Sequence, residues 1–446
     1  MLRFGTDGVR GDAESALSNE YVVALGRSAA AVLGTSAPFL VGMDTRISGP
    51  RIARALASGL RDGGATTEML GVLSTPGIAF ESQLRAAPAA VISASHNRWS
   101  DNGIKFFSPG GVKLGDGAQR EIERHLDEAA ARRDASSQVV VSEIDEPRSV
   151  ADTASRRYLE HLVQSLDGGR LDGLRVVIDA AHGAASALAE PLFTALGATT
   201  TVLHATPNGT NINDGCGSTH MESLCDAVVK LGADVGFALD GDADRCLGVD
   251  ELGNVIDGDE LMVALAIDMK RRGQLDGNSL VVTVLSNLGL HIAMRDAGIS
   301  VVETPVGDRS VMAAIEAGGF GLGGEQSGHI IVRRRATTGD GLLTALLLSD
   351  VLRRTRMLAS EAKAQMVALP QVMMNVVVSS MPDLAVADRL WAEVAAVETS
   401  LGTDGRVLVR ASGTEPLIRV MVEAPTSQVA RECAERLART VSAMWA

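Results

Sequence analysis

The feature that most restricts how this chain folds is a unit that recurs three times. An unbroken apolar run ends in a short polar loop, and a helical stretch follows. "FLVGMD" (39–44) precedes "PRIARALASGLRDGG" (50–64), whose apolar residues return at helical spacing and stop at glycine. "LRVVIDAAHGAA" leads into "LAEPLFTALGA", and "SLVVTVLSNLGL" (279–290) repeats the order. The second and third copies share their entry, "LDGLRVVID" against "LDGNSLVVTV". Apolar runs that do not alternate belong to strands covered on both faces, which implies parallel or mixed sheets flanked by helices. Three related α/β domains are therefore expected, with boundaries at 1–153, 154–254 and 255–368. The last segment, 369–446, reads differently. "VMMNVVVSS", a helix from about 384 to 400, "RVLVRAS", "LIRVMVEA" and a closing helix form a β-α-β-β-α unit, a small α+β domain. "DEAAARRDASSQ" reads as a solvated helix end and loop.

A chain of 446 residues exceeds one ordinary core, in keeping with several domains. Its formal charge of −14 argues against non-specific nucleic-acid binding and against a basic membrane-facing patch. An anionic substrate must then meet a local group of cations. Cys216, Cys225, Cys246 and Cys433 form no CxxC pair and no disulfide framework, which suits a reducing cytoplasm. "MLRFGTDGVRG" lacks the apolar core of a signal peptide, and no run of about 18 apolar residues suggests a membrane span.

Four polar clusters carry chemistry. In "LDGDADR" (239–245), Asp240, Asp242 and Asp244 alternate directly after the strand-like "DVGFA". Three carboxylates this close repel one another unless a cation sits among them, and oxygen ligands on a tight loop suit Mg²⁺. An acidic surface turn is the plain alternative. A calcium loop is a second one, because Glu251 falls at the twelfth position, but Arg245 stands where that loop needs glycine. In "VRASGTEPLIRV" (409–420), Ser412, Gly413 and Thr414 form a loop flanked by Arg410 and Arg419. Loop amides, hydroxyls and planar guanidiniums suit a phosphate; the alternative is a hairpin turn with surface arginines. In "GGEQSGH" (323–329), Glu325 and Ser327 offer an acceptor and a donor, and His329 is either a reactive or a hydrogen-bonded structural histidine. The GxGxxG at Gly319, Gly321 and Gly324 precedes a strand rather than a helix, so a dinucleotide site is a poor reading.

The fourth cluster is "VISASHNRWSDNGIK" (91–105). Ser95 is a candidate nucleophile. A Ser-His-Asp hydrolase is disfavoured because neighbouring side chains in an extended segment point apart, which makes His96 a poor base for Ser95, and no G-x-S-x-G surrounds it. If the aspartates hold Mg²⁺ against Ser95, a phosphate there is neutralised and transferable. Lys105, one of few lysines, would steady that charge or move a proton, and Arg10 would add a cation.

Taken in order, "FGTDGVRG", "SASHN", "DGDADR", "GGEQSGH" and "RASGTEPLIRVM" resemble the α-D-phosphohexomutase superfamily over essentially the whole length. The first and fourth motifs resemble most the branch that acts on glucosamine phosphate. The resemblance implies three α/β domains and a C-terminal α+β domain around a central active-site cleft, with the last domain as the natural mover in its closure. It implies an isomerase that interconverts glucosamine 6-phosphate and glucosamine 1-phosphate through a bisphosphorylated sugar, feeding UDP-N-acetylglucosamine and cell-wall synthesis. It also implies phosphorylation of Ser95 as a requirement for activity, and one Mg²⁺ ion held by Ser95, Asp240, Asp242 and Asp244, with Arg245 beside it. Glu325 and Ser327 would contact sugar hydroxyls. Arg410, Ser412, Gly413, Thr414 and Arg419 would hold the non-reacting phosphate, and Lys105 and His329 would transfer protons. A homodimer and a phosphosugar partner are expected. A phosphomannomutase or phosphoglucomutase, a Mg²⁺-dependent phosphatase with an aspartate nucleophile, and a non-catalytic phosphosugar-binding protein are the alternatives. The chain departs from the family where a proline usually follows "SASHN": Arg98, Trp99 and Ser100 stand there, which puts the rigidity of that loop in question.

Overall fold

The computed structural model describes residues 2–5, 7–131, 148–379, 383–411 and 416–445. The chain divides into two compact units: residues 1–285 with 299–364, and residues 286–298 with 365–446. The larger unit holds three sheets. The first contains β1 (Val9–Asp12), β2 (Phe39–Met43), β3 (Thr67–Val72), β4 (Ala89–Ile92), β5 (Asp101–Ser108), β6 (Val112–Lys113) and β7 (Arg148–Ser149). The second contains β8 (Arg175–Asp179), β9 (Thr199–Leu203), β10 (Val235–Leu239), β11 (Cys246–Asp250) and β12 (Val255–Ile256). The third contains β13 (Ser279–Thr283), β14 (Ser300–Thr304), β15 (Leu322–Gly324) and β16 (Ile330–Val332).

The three sheets share one topology. Each contains a four-strand core whose first strand (β2, β8 or β13) lies between the second and third and parallel to both, and whose fourth runs antiparallel beside the third; β1, β6, β7 and β12 lie outside these cores. The orders are β3-β2-β4-β5, β9-β8-β10-β11 and β14-β13-β15-β16. This bears out the three related α/β units with mixed sheets. β4 and β10 are buried at every position, as strands covered on both faces must be. The decisive consequence lies at one end. The loop joining the third strand to the antiparallel fourth carries Ser95 in the first sheet, Asp240–Asp244 in the second and Glu325–His329 in the third. Turns at the carboxyl ends of such strands are where α/β sheets bind ligands.

Helix Gly49–Asp62 starts after Ser48 with Pro50 in its first turn, where the missing N–H costs nothing. It packs against helix Asn19–Leu33 so closely that a Cβ on Gly59 would stand 2.0 Å from the Val23 carbonyl oxygen. Only glycine permits that crossing.

The smaller unit is built on β17 (Gln371–Val377), β18 (Arg406–Ala411) and β19 (Leu417–Glu423), all antiparallel in the order β17-β19-β18. Helices Asp388–Leu401 and Ser427–Trp445 complete the expected β-α-β-β-α order. The first of them begins at Asp388 rather than near 384, because a single 3-10 turn, Leu384–Val386, precedes it. Helix Leu288–Asp296 also belongs to this unit. The buried Glu423 accepts from the Leu288 N–H at 2.9 Å, and the Asn287 side chain exchanges hydrogen bonds with Leu369 at 2.9 and 3.0 Å. Part of "DEAAARRDASSQ" continues helix Asp116–Ala131, and the rest lies outside the described residues.

Candidate active site

Ser95 follows β4 in a tight turn with a left-handed backbone, φ +54°. The turn is held from behind by a buried arginine that sequence reasoning missed. Arg46 donates to the carbonyl oxygens of Ser95 and Asn97 at 2.9 Å and of Asp101 at 3.0 Å, and to that of Arg98. Its Nε pairs with Asp44 at 2.9 Å, and Asp44 in turn accepts from Ser93 Oγ at 2.6 Å. Ser93 Oγ accepts the Ser95 N–H at 2.9 Å. Asn213 adds donors to the Ser95 and Asn97 carbonyls at 2.9 and 3.0 Å. This net answers the question raised by Arg98: the loop is restrained by Arg46 where proline is absent, and the Arg98 side chain points into solvent.

The Ser95 hydroxyl donates to Asp240 Oδ2 at 2.5 Å. The approach is close because Gly241 lies against the loop; a Cβ there would stand 2.7 Å from the Ser95 carbonyl oxygen. One expectation needs correction. His96 Nδ1 lies 3.2 Å from Ser95 Oγ, because the left-handed turn, unlike an extended segment, swings adjacent side chains to the same side. Burial, then Arg245 and Arg10, lowers the His96 pKa, so its ring is neutral.

One oxygen from each of Asp240, Asp242 and Asp244 lies within 4.8 Å of the others, and all three residues are buried. Burial, reinforced by Asp242 and Asp244, pushes the Asp240 carboxyl well above its ordinary value. Burial is the largest influence on the other two as well and opposes ionisation, but Lys105 with Thr75 at Asp242, and Lys105 with His329 and Lys113 at Asp244, together hold both below the usual range. Asp242 Oδ2 accepts from Thr75 Oγ1 at 2.7 Å and from Lys105 Nζ at 2.8 Å. Among the described residues, Asp242 Oδ1 and Asp244 Oδ1 are buried without a hydrogen-bond donor, Arg245 Nε standing 3.9 Å from the latter. Buried carboxylate oxygens left bare are costly, and a hard divalent cation is the group that satisfies them. The residues therefore fit Mg²⁺. The calcium-loop alternative fails, because both Glu251 oxygens accept from Ser360.

Lys105 is 1% exposed and belongs to a closed ring of alternating charges. Its Nζ lies 2.8 Å from Asp7 Oδ2 and 3.7 Å from Asp244 Oδ2. Asp7 Oδ1 pairs with Lys113 at 2.9 Å, and Lys113 pairs with Asp308. His329 closes the ring, 3.8 Å from Asp308 and 3.6 Å from Asp244. Burial alone would lower the Lys105 pKa; Asp242, Asp7 and Asp244 together raise it, so the side chain is an ammonium. Burial likewise works against charge on His329, and Asp244 carries its pKa upward. The Gly339 N–H donates to Nε2 at 3.0 Å, which assigns the proton of the neutral ring to Nδ1, facing Asp244. Asp7, Lys113 and Asp308 were not singled out in the sequence. Asp7 stood inside "GTDGVRG", and the scarcity of lysine was a signal for Lys113.

A cleft of about 430 Å³ opens over this floor, lined among others by Asp7, Arg10, Ser95, His96, Asp244, Arg245, Asp308, Glu325 and His329. A wider cavity of about 740 Å³ shares Gly307, Asp308 and His329 with it. Arg10 donates to Asp7 at 2.9 Å; the Nε atoms of both Arg10 and Arg245 are buried without a hydrogen-bond partner among the described residues, and Arg245 Nε lies 3.9 Å from Asp244 Oδ1. Glu325 Oε1 accepts from the Gly307 N–H at 3.1 Å. Ser327 sits exposed at the tip of its turn and does not line the cleft. In the smaller unit, Arg410 and Arg419 stand directly opposite each other on β18 and β19. Burial and then Arg419 lower the Arg410 pKa, and Arg419 Nε is buried without a hydrogen-bond partner among the described residues. Ser412, Gly413 and Thr414 lie outside the described residues.

Four family models match the chain in sequence. They are Phosphoglucomutase/phosphomannomutase alpha/beta/alpha domain I over residues 1–133, domain II over 156–253, domain III over 257–369, and the C-terminal domain over 373–440. A phosphoglucosamine mutase of Rhodococcus jostii is 48% identical over 447 residues, covering 99% of each chain, and that of Mycolicibacterium paratuberculosis is 48% identical over 446. The chain belongs to the phosphoglucosamine mutases of the phosphohexomutase superfamily. It is an isomerase of the intramolecular phosphotransferase class. The fold is shared more widely. A phosphoglucomutase/phosphomannomutase family protein of Burkholderia thailandensis superposes with a TM-score of 0.78 at 24% identity, covering 98% of this chain and 97% of that one. An N-acetylphosphoglucosamine mutase of Aspergillus fumigatus, solved with GlcNAc-6P and magnesium, gives 0.69 at 19% identity, covering 100% and 96%. No helix among the described residues is long and apolar enough to cross a membrane.

Proposed function

We propose that this enzyme interconverts glucosamine 6-phosphate and glucosamine 1-phosphate, with Ser95 as the residue that carries the phosphoryl group between turnovers. In the first half-reaction the sugar C1 hydroxyl oxygen bonds to phosphorus, the Ser95 Oγ–P bond breaks, and the hydroxyl proton passes to a side chain of the cleft. The bisphosphate turns. Its 6-phosphate then re-forms the Oγ–P bond while the sugar oxygen takes a proton and leaves as hydroxyl. The sum is an isomerisation with phosphorus, oxygen and protons balanced.

The roles follow from the chemistry of each group. Asp240, Asp242, Asp244 and the Ser95 phosphate would hold Mg²⁺, which supplies positive charge against the phosphoryl oxygens. Arg10 and Arg245, whose Nε atoms make no hydrogen bond among the described residues, bind those oxygens as they shift. Lys105 and His329 are the candidates for proton transfer; the carboxylates around Lys105 tighten its hold on its proton, so its charge also steadies the phosphoryl oxygens. Glu325, on the cleft wall, takes sugar hydroxyls; Ser327, exposed outside that wall, has no such role. Arg410, Ser412, Gly413, Thr414 and Arg419 hold the phosphate that is not reacting. This division of labour goes with segments 1–153, 154–254, 255–368 and 369–446. The enzyme acts in the cytoplasm on a small phosphosugar.

The observation that carries the reading is the Ser95 hydroxyl 2.5 Å from Asp240, over a buried carboxylate triad with two bare oxygens. Ser95→Ala tests it. Wild type is expected to show one phosphoryl group by intact mass, mapped to Ser95, and the variant none, with turnover lost in a coupled assay on glucosamine, glucose and mannose phosphates. Near-normal isomer formation by the variant would sink the proposal. Inorganic phosphate released with Asp240 essential and Ser95 dispensable would mark a phosphatase instead.

A further inference from the structure

The second sheet carries a cluster that phosphoryl transfer does not use. Asp179 ends β8, His204 follows the neighbouring parallel strand β9, and Cys216 lies in the loop beyond. A carboxylate oxygen, a ring nitrogen and the sulfur of these residues all lie within 4.8 Å of one another. Asp179 and Cys216 are fully buried. His204 reaches them from the edge, its Nδ1 3.0 Å from Asp179 Oδ2 yet without the geometry of a hydrogen bond. We propose that Asp179, His204 and Cys216 form a second metal site, selective for a borderline-soft divalent cation such as Zn²⁺ and chemically distinct from the all-oxygen aspartate triad.

Donor chemistry is the first argument. A sulfur, an imidazole nitrogen and a carboxylate oxygen are the ligand types Zn²⁺ takes, whereas Mg²⁺ prefers oxygen alone. Charge is the second. A thiolate, a carboxylate and a neutral imidazole sum to −2, which a divalent ion cancels, so the complex remains buried without a net charge. Distance is the third. Tetrahedral Zn²⁺ separates its ligand atoms by about 3.3–3.6 Å. The nitrogen–oxygen pair, at 3.0 Å, is already near that spacing, and the sulfur lies within 4.8 Å of both atoms. The surroundings also orient the ligands: Asp179 Oδ1 accepts the Ala181 N–H and Oδ2 the Gly217 N–H, each at 2.9 Å. Three protein ligands leave the fourth position to water.

The site would act on the reaction at one remove. Asn213, three residues before Cys216, donates to the Ser95 and Asn97 carbonyls. An ion tying Cys216 to the ends of β8 and β9 fixes the segment that backs the Ser95 turn.

Cobalt replacement tests this in the full chain. Chelator-treated wild type is expected to take up Co²⁺ with a thiolate-to-cobalt charge-transfer band that excess Mg²⁺ does not remove. An Asp242→Asn variant keeps that band, because the triad has no sulfur. Cys216→Ala and His204→Gln are expected to lose it and to bind Zn²⁺ at least tenfold more weakly. His204 is partly exposed, so its variant remains informative if Cys216→Ala fails to fold. Folded wild type with no thiolate band, or a band that survives His204→Gln unchanged, overturns the proposal.

Discussion

Arg46→Lys is the sharpest test of how the Ser95 turn is built. The guanidinium is 1% exposed and serves five acceptors: the Asp44 carboxylate and the carbonyls of Ser95, Asn97, Arg98 and Asp101. A lysine ammonium keeps the charge but has three donors, so at least two acceptors lose their partner. Each unsatisfied buried polar group costs about 1–3 kcal/mol, which sets the loss at about 2–6 kcal/mol. Water reaching the half-buried carbonyls brings the expected value to about 2–3 kcal/mol. The catalytic effect is larger than the stability effect. Relaxation of the turn moves Oγ away from Asp240, and a misplacement of about 1 Å costs on the order of 100-fold in kcat. Arg46 does not line the cleft, so KM is expected to stay within about twofold. Denaturant unfolding and steady-state kinetics on the same preparation provide both numbers. A variant that loses stability but keeps kcat within about twofold of wild type would refute the reasoning, since the carbonyl net would then hold the domain and not the nucleophile.

Arg419→Ala is expected to raise KM for the phosphosugar more than tenfold with a smaller change in kcat. It should also stabilise the smaller unit by up to about 1 kcal/mol, because Arg410 no longer faces a like charge across the sheet. A KM that stays put in steady-state kinetics would remove these arginines from substrate binding. Asp340 offers a pH test. Burial holds its carboxyl at about 6, above the unfolded value of about 3.9. Its contribution to stability is therefore fully present below about pH 4 and lost as pH rises through about 6. Asp340→Asn keeps an acceptor for the Leu343 N–H and should flatten that stretch of the curve. Equal pH slopes for variant and wild type in denaturant unfolding between pH 4 and 7 would contradict it.

The four motif loops were legible because each sets short polar residues directly after an apolar strand, three of them with glycine among those residues, a local signature. The restraint behind Ser95 was not. Asp44 and Arg46 read as ordinary polar residues between β2 and a helix, and nothing local says that an arginine will thread under a turn some fifty residues away. The same holds for Asp7, Lys113 and Asp308. Each looks like a surface charge until the ring that includes Lys105 and His329 is assembled. His96 was misjudged for a narrower reason: its distance from Ser95 depends on one backbone angle, which neighbouring residues do not dictate.

By itself, the sequence determined the repeated β-α units, the strands buried on both faces, the α+β character of the last segment, and which loops carry carboxylates, hydroxyls and guanidiniums. Those follow from periodicity and turn chemistry, which act over a few residues. Tertiary structure alone decided that the third-to-fourth-strand turns of three sheets meet around one cleft, that two aspartate oxygens are left bare, and that Asp179, His204 and Cys216 come within reach of a single ion. Those depend on which distant charges are buried together, and the cost of burying a charge is set by its neighbours in space rather than along the chain.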